Sequence, residues 1–254
     1  MPLTVLNYHS IRNDGELPLS VTVQEFRWQM QYIADKGYHG VSLEEGFKKT
    51  GKNKKNRKEI VLTFDDGYLD NYTEAFPVLL EFGFTATFFV TVDFIEHNMI
   101  TWHERPEQGA AMSWGNLREM TLAGMCVGSH TLSHSRLSEI PAAQSMRELS
   151  ESGAVIGERL GTQVLSFAYP SGDFTREVME MVPEAGYAMA AALALPPGIV
   201  EDRYSIPRTG INVRDCRWRY RLKMCGALGT PPVHQMVKLG RIFNKKIKKR
   251  MREL

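Results

Sequence analysis

The chain has 254 residues, 43% hydrophobic and 24% charged, with a formal net charge of +2. That is ordinary globular composition, long enough for a single α/β barrel with a full core. Three scattered cysteines, Cys126, Cys216 and Cys225, exclude a disulfide framework or a Cys-x-x-Cys metal site and read as reduced thiols.

No apolar run is long enough to span a bilayer. The N-terminus has no basic region followed by an apolar stretch and a cleavage site, so a cytoplasmic protein is expected. In chain order, Thr4 to Tyr8 reads as a buried strand that delivers His9 at its end. Val23 to Lys36 has helical spacing, with Phe26, Met30, Ile33 and Ala34 on one face and Gly37 as the stop. A short strand near Gly40 to Ser42 leads into a helix from Leu43. Lys52, Lys54, Lys55, Arg57 and Lys58 make a basic stretch that reads as a solvated loop.

The apolar run Val61-Leu62-Thr63-Phe64 then carries the chain outward to Asp65-Asp66-Gly67. Successive residues of a strand point to opposite faces. One carboxylate can therefore turn toward a metal while the other stays free as a base. The triplet alone reads equally well as a solvated turn. A helix from about Tyr72 to Phe82 and a strand at Ala86 to Val92 follow. Ser113 caps a helix that closes at Gly124, and a strand at Cys126 to Gly128 ends in Ser129-His130.

His130-Thr131-Leu132-Ser133-His134 places two histidines four residues apart. They reach one point if the segment is helical or tightly turned. With an aspartate from another strand's end they make a two-histidine, one-carboxylate set, which leaves metal positions open to water and substrate. Val164 to Asp173 is a further strand running into a Pro-Gly turn, which aims backbone N–H groups outward. His39, His97 and His103 have no partner pattern, and Trp102 and Trp114 read as packing residues. The alternation of strand and helix argues for an α/β fold with a mainly parallel sheet.

Together, Thr63-Phe64-Asp65-Asp66-Gly67-Tyr68, His130-Thr131-Leu132-Ser133-His134 and Phe167-Ala168-Tyr169-Pro170-Ser171-Gly172 resemble the successive motifs of the polysaccharide deacetylases. These are the NodB-homology, or carbohydrate esterase family 4, enzymes. The resemblance runs from about Leu3 to Val213. It implies a distorted (β/α) barrel with about seven strands. It also implies a divalent metal, most often Zn2+ with Co2+ or Ni2+ as substitutes, and hydrolysis of N-acetyl groups on an amino-sugar glycan, as in exopolysaccharide biosynthesis. By resemblance Asp65 is the general base, and Asp66, His130 and His134 are the metal ligands. Ser171 supplies a backbone N–H to the oxyanion, with Tyr169 beside it at the substrate.

The chain departs from the family at two points. Ala168 stands where the third motif usually carries an arginine, and Ser171 where it often has an aromatic. The late histidine that acts as general acid is also missing, since His234 is the only histidine after the third motif. In the permuted poly-N-acetylglucosamine deacetylase branch that histidine lies in an N-terminal Tyr-His segment. Tyr8-His9-Ser10 fits this, making His9 the expected acid, and Arg208 of Ile206-Pro207-Arg208 is the candidate for the missing guanidinium.

Residues 1–230 are therefore expected to form the catalytic domain and 231–254 a basic tail. From Gln235 to Leu254 there are eight Lys/Arg and one acid, against 23 basic and 28 acidic residues elsewhere. Met236, Leu239, Phe243, Ile247, Met251 and Leu254 recur at spacings of three and four, the pattern of an interfacial helix. This gives residues 235–254 an expected contact with anionic lipid, placing the protein at the inner membrane face; no nucleic-acid partner is expected. Two other functions fit the same pattern: a different C–N amide hydrolase such as a deformylase, or a carbohydrate-binding protein that has lost catalysis.

Overall fold

The computed structural model describes residues 3–13, 19–48, 58–98 and 109–224. The basic stretch at 52–57, Trp102, His103, Cys225, His234 and the tail expected over 231–254 lie outside the described residues.

The first half alternates β1 (Thr4–Tyr8), α1 (Val23–Asp35), β2 (His39–Val41), α2 (Leu43–Lys48) and β3 (Glu59–Phe64). A wide helical turn at Asn71–Ala75 continues into α3 (Phe76–Glu81), then β4 (Thr87–Val90), α4 (Val92–His97), α5 (Trp114–Leu122) and β5 (Cys126–Ser129). The second half holds α6 (Ala142–Leu160), β6 (Ser166–Ala168), α7 (Arg176–Glu184), β7 (Met189–Ala192), β8 (Ile206–Pro207), β9 (Thr209–Gly210) and α8 (Arg217–Met224). The helix starts follow from local chemistry. The Thr22 hydroxyl accepts the Glu25 N–H ahead of α1, and Ser113 and Asn116 form a reciprocal box at α5.

The nine strands form one sheet whose pairs are all parallel. Its path runs β8-β7-β6-β5-β4-β3-β1-β9, with β2 beside β3. The two ends of that path are one residue apart in the chain. Ile206-Pro207 pairs with β7 and Thr209-Gly210 pairs with β1, so residues 206–210 act as a single seam that joins the sheet's edges. The result is a (β/α) barrel, nearly closed, with helices around it. Arg208 is the residue between the two halves of the seam.

Side-chain alternation sorts the core into two shells. Leu6, Tyr8, Leu62, Phe64, Phe88 and Val90 face outward into the large cluster under the helices. Val5, Val61, Phe89, Ala168, Ala191 and Ile206 form a smaller cluster inside the barrel. On the strands that carry Val5, Val61 and Phe89, the interior positions two residues away are polar: Asn7, Thr63 and Thr87, all fully buried. α2 closes the end where the strands begin. Leu43 packs into the inner cluster, and the Glu44 carboxylate accepts from the hydroxyls of Thr87 at 2.6 Å and Ser166 at 2.5 Å. Among the described residues no helix is long and apolar enough to cross a membrane.

The inner shell fills by contact of one ring with one glycine. A Cβ on Gly128 would lie 2.5 Å from the Phe89 ring and 2.7 Å from the Ser166 hydroxyl. Neither neighbour can retreat inside a close-packed barrel. Gly128→Ala should therefore cost about 1–3 kcal/mol in urea unfolding; an unchanged midpoint would mean that the interior is looser than these contacts imply.

Candidate metal centre and active site

The strands run parallel, so His9, Asp65, His130 and the turn after β6 all emerge at the same end of the barrel. That is the end at which (β/α) barrels carry their chemistry. Asp65 follows β3 in the interior phase of Val61 and Thr63. Asp66 breaks the alternation, because its φ of 77° lies in the left-handed region. Both carboxylates are thereby buried at the barrel mouth, at 1% and 3% exposure.

Asp66 faces the two histidines. Its Oδ1 lies 3.6 Å from His130 Nε2 and 3.4 Å from His134 Nε2, and the two imidazoles cross at 74°. His130 Nδ1 is 2.7 Å from the Ala168 carbonyl. A carbonyl only accepts, so Nδ1 carries the proton and Nε2 presents a lone pair. Burial lowers the His130 pKa to about 4, keeping the ring neutral. Burial alone would raise Asp66, but His134, His9 and His130 outweigh it and hold the carboxyl below its usual range.

The Asp66 carboxylate and the two imidazoles therefore converge, with the Nε2 lone pair of His130 turned toward Asp66 Oδ1. All three ligand atoms lie within 4.8 Å of one another. Ligands at zinc-type bond lengths in a tetrahedral arrangement are about 3.3 Å apart, close to the 3.4 and 3.6 Å seen here. The residues fit a divalent cation. The pair of histidines is brought together by a turn rather than a helix, with Thr131 at φ 70° and His134 at φ 60°.

Asp65 stands apart from the two histidines and pairs with Arg208, the candidate guanidinium. Arg208 reaches in from the seam and forks onto it, Nη1 to Oδ1 at 2.6 Å and Nη2 to Oδ2 at 2.8 Å. Asn7 Nδ2 donates to Oδ2 at 3.0 Å, and its Oδ1 accepts from Arg208 at 3.0 Å and from the Thr63 hydroxyl at 3.1 Å. The Phe89 ring lies under the guanidinium, 5.4 Å away. Burial would raise the Asp65 pKa; Arg208, with His130 and His9, brings it below the ordinary value.

His9 is half-buried, with an Nδ1 that has no hydrogen-bond partner, and it lies near enough to act on both carboxylates. Its backbone is clamped. Asn71 donates to the His9 carbonyl at 2.7 Å, and Asp70 accepts from the Ser10 hydroxyl at 2.5 Å and the Ile11 N–H at 3.0 Å. Ser171 is exposed at the same end, at φ 57°. Tyr169 is withdrawn from the site. Its ring is buried and stacked on Phe174, and its hydroxyl donates to the Tyr204 carbonyl at 2.8 Å, because the residue after the interior Ala168 turns to the outer cluster, away from the barrel mouth.

Asn7, Asp70, Asn71 and Glu148 are the site-supporting residues absent from the sequence reading. Asn7 had a signal, since it shares the interior phase of its strand two residues before His9. Trp114 packs at the α5 start, its indole N–H donating to Glu96 at 2.9 Å.

Comparison with known proteins follows the same lines. Residues 52–190 match the profile of the polysaccharide deacetylase family. YxkH of Bacillus subtilis, provisionally named a polysaccharide deacetylase, is 31% identical over 188 residues, 74% of this chain and 63% of its own. The poly-β-1,6-N-acetyl-D-glucosamine N-deacetylase of Escherichia coli is 31% identical over 85 residues, 32% of this chain and 12% of its own. The chain thus spans less than two thirds of either relative. The deacetylase PplD of Streptococcus pyogenes, solved with acetate, superposes with a TM-score of 0.76 at 23% identity over 88% of this chain and 98% of its own, a likeness of fold.

The ion pair generates a pH-dependent expectation. Arg208→Met leaves a buried carboxylate with no countercharge, a change that costs about 3–5 kcal/mol. In the wild type the pair contributes stability above the ordinary carboxylate pKa, and that contribution is lost as the pH falls through the depressed value of Asp65. The stability gap between variant and wild type, measured by urea unfolding, should be widest near neutrality and should shrink in acid. A gap independent of pH would show that Asp65 is not ionised in the native state.

Proposed function

Because the chain belongs to the polysaccharide deacetylase family, we propose that it hydrolyses the N-acetyl groups of an amino-sugar glycan. The observation that carries this reading is the side-by-side burial of two differently partnered aspartates, Asp65 on Arg208 and Asp66 on His130 and His134. One carboxylate is fixed as an anion beside a cation site that the other helps to build.

Asp66, His130 and His134 would hold the divalent metal, with zinc as the best chemical fit to two imidazoles and a carboxylate. Bound there, it would polarise the acetamide carbonyl and make a neighbouring water more acidic. The residues of the chain supply the rest. Asp65 is held ionised by Arg208 and Asn7; its Oδ2 accepts from both, and its Oδ1, which accepts from Arg208, keeps a lone pair for a proton. It takes that proton from the water that attacks the acetyl carbon. Arg208 fixes the plane of the carboxylate, so Asp65 cannot swing onto the metal ligands. The Ser171 backbone N–H at the rim is assigned to the developing oxyanion. His9 gives a proton to the departing nitrogen as the C–N bond breaks, since an amide anion is a very poor leaving group. The products are acetate and a free amine.

The departures at Ala168 and Ser171 raised the alternative of a binding protein without catalysis. The guanidinium from Arg208, on the carboxylate where the family's own arginine pairs, supports the enzyme instead. Ala168 and Ala191 are small interior residues beside the seam, and this leaves the barrel room for one arginine. The match to a deacetylase of poly-β-1,6-N-acetylglucosamine covers a third of the chain and makes acetylated glucosamine polymers the first substrates to assay.

Two experiments separate the roles. Asp65→Asn should keep its metal and lose on the order of 10²–10⁴-fold in acetate release, whereas Asp66→Asn should lose the metal itself. The reverse pattern in elemental analysis would exchange the two assignments. His9→Ala should collapse hydrolysis of an N-acetyl sugar while largely sparing an activated acetate ester, whose leaving group needs no proton. Equal losses on both substrates, or a loss of metal, would remove His9 from the role of acid.

A further inference from the structure

The side chains of one helix hold the turn between the two histidines from outside. On α6, Ser145, Glu148 and Ser152 lie three and four residues apart and share its buried face. Each reaches the segment that carries the histidines. Ser145 donates to the Leu137 carbonyl at 3.0 Å. The Ser152 hydroxyl meets that of Ser129 at 2.7 Å, and Ser129 Oγ accepts the Thr131 N–H at 3.2 Å. Between them Glu148, 6% exposed, accepts the N–H groups of Leu132 at 2.9 Å and Ser133 at 3.0 Å on one oxygen and the Ser133 hydroxyl at 2.6 Å on the other.

We propose that Glu148 is a positioning residue that sets the metal affinity of the centre by fixing the turn between His130 and His134. The inference rests on the reading of Asp66, His130 and His134 as the cation's ligands. His130 has its own anchor in the Ala168 carbonyl. His134 starts from the turn itself, its backbone N–H donating to the Thr131 hydroxyl at 2.9 Å, so the conformation of the turn sets where its ring begins. That turn contains two left-handed non-glycine residues, Thr131 and His134, each costing of order 1–3 kcal/mol. A conformation of that cost persists only where its surroundings over-determine it. One carboxylate receiving two consecutive N–H groups and the intervening hydroxyl does so, and charge-assisted bonds are the strong kind. α4 supplies a second brace, since the Asp93 N–H donates to the Leu132 carbonyl at 2.8 Å. The hold on the donors of Leu132 and Ser133 comes from Glu148.

Removing such outer support costs a metal site roughly 10- to 100-fold in affinity. The test is chelator competition for Zn2+ on the full chain, comparing wild type, Glu148→Gln and Ser133→Ala, with thermal melting of each in excess chelator. Glu148→Gln should weaken Zn2+ binding of the folded protein by roughly that factor, and Ser133→Ala by a smaller one. Lower melting in chelator with unchanged Zn2+ affinity in both variants would reduce Glu148 to a structural residue and overturn the proposal. If Glu148→Gln fails to fold, the affinity of Ser133→Ala decides alone. A wild type that binds no Zn2+ would overturn the metal-centre reading and this inference together. Tight wild-type binding beside equally tight variants would overturn this inference only.

Discussion

The structure depends on one buried ion pair. Arg208 and Asp65 meet inside the barrel mouth, at 4% and 1% exposure, in a bidentate fork. Two buried charges of opposite sign are tolerated only when geometry and hydrogen bonds satisfy them. Asn7 and Thr63 complete that satisfaction from neighbouring strands. The pair also spans the seam of the barrel, since Arg208 lies between the segment paired with β7 and the segment paired with β1. Closure of the sheet and orientation of the proposed base are therefore one event. A chain that failed to place residues 206–210 would lose both.

Around this pair the backbone is held under tension at the points that touch the chemistry. Of five non-glycine residues with positive φ among the described residues, Asp66, Thr131, His134 and Ser171 belong to the three motifs, and Asn98 ends α4. Each departure re-aims a side chain or an N–H that regular geometry would send elsewhere. Asp66 shows the reason most clearly. Strand alternation would send it away from Asp65, and the left-handed turn brings it back to the same mouth on the side of the histidines. The strain of the His134 turn is borne by the buried Glu148 carboxylate one layer out, and the half-buried Asp70 holds the segment after His9 in the same way.

Much of the first half was legible in the sequence. The strand at Val61 to Phe64, the helix at Val23 to Asp35 with its Gly37 stop and the Ser113 cap all follow from local pattern. Local pattern also brought His130, His134 and one of the two aspartates forward as a set, and the family resemblance chose Asp66. What was not legible is instructive. Helix α6 is as amphipathic as α1, but nothing in its pattern told that Ser145, Glu148 and Ser152 lie on its buried face. The seam strands are two residues each, shorter than any periodicity can register. Arg208 came forward as a partner for Asp65 only through the family resemblance, because it lies 143 residues away on that seam, a contact only the closed barrel creates. Tyr169 was drawn into the site by its place in a motif, although its strand phase commits the ring to the outer core.

The account's central claim is that a cation held by Asp66, His130 and His134, beside an ionised Asp65, makes this chain an N-deacetylase. The most direct measurement is acetate release from N-acetylglucosamine oligomers by one preparation in three states: as purified, stripped by chelator, and refilled with divalent metal. The account predicts release in the first, its loss in the second and its return at about one equivalent of metal in the third. Full release from the stripped protein, or none from the refilled protein on any N-acetylated amino sugar, would contradict it.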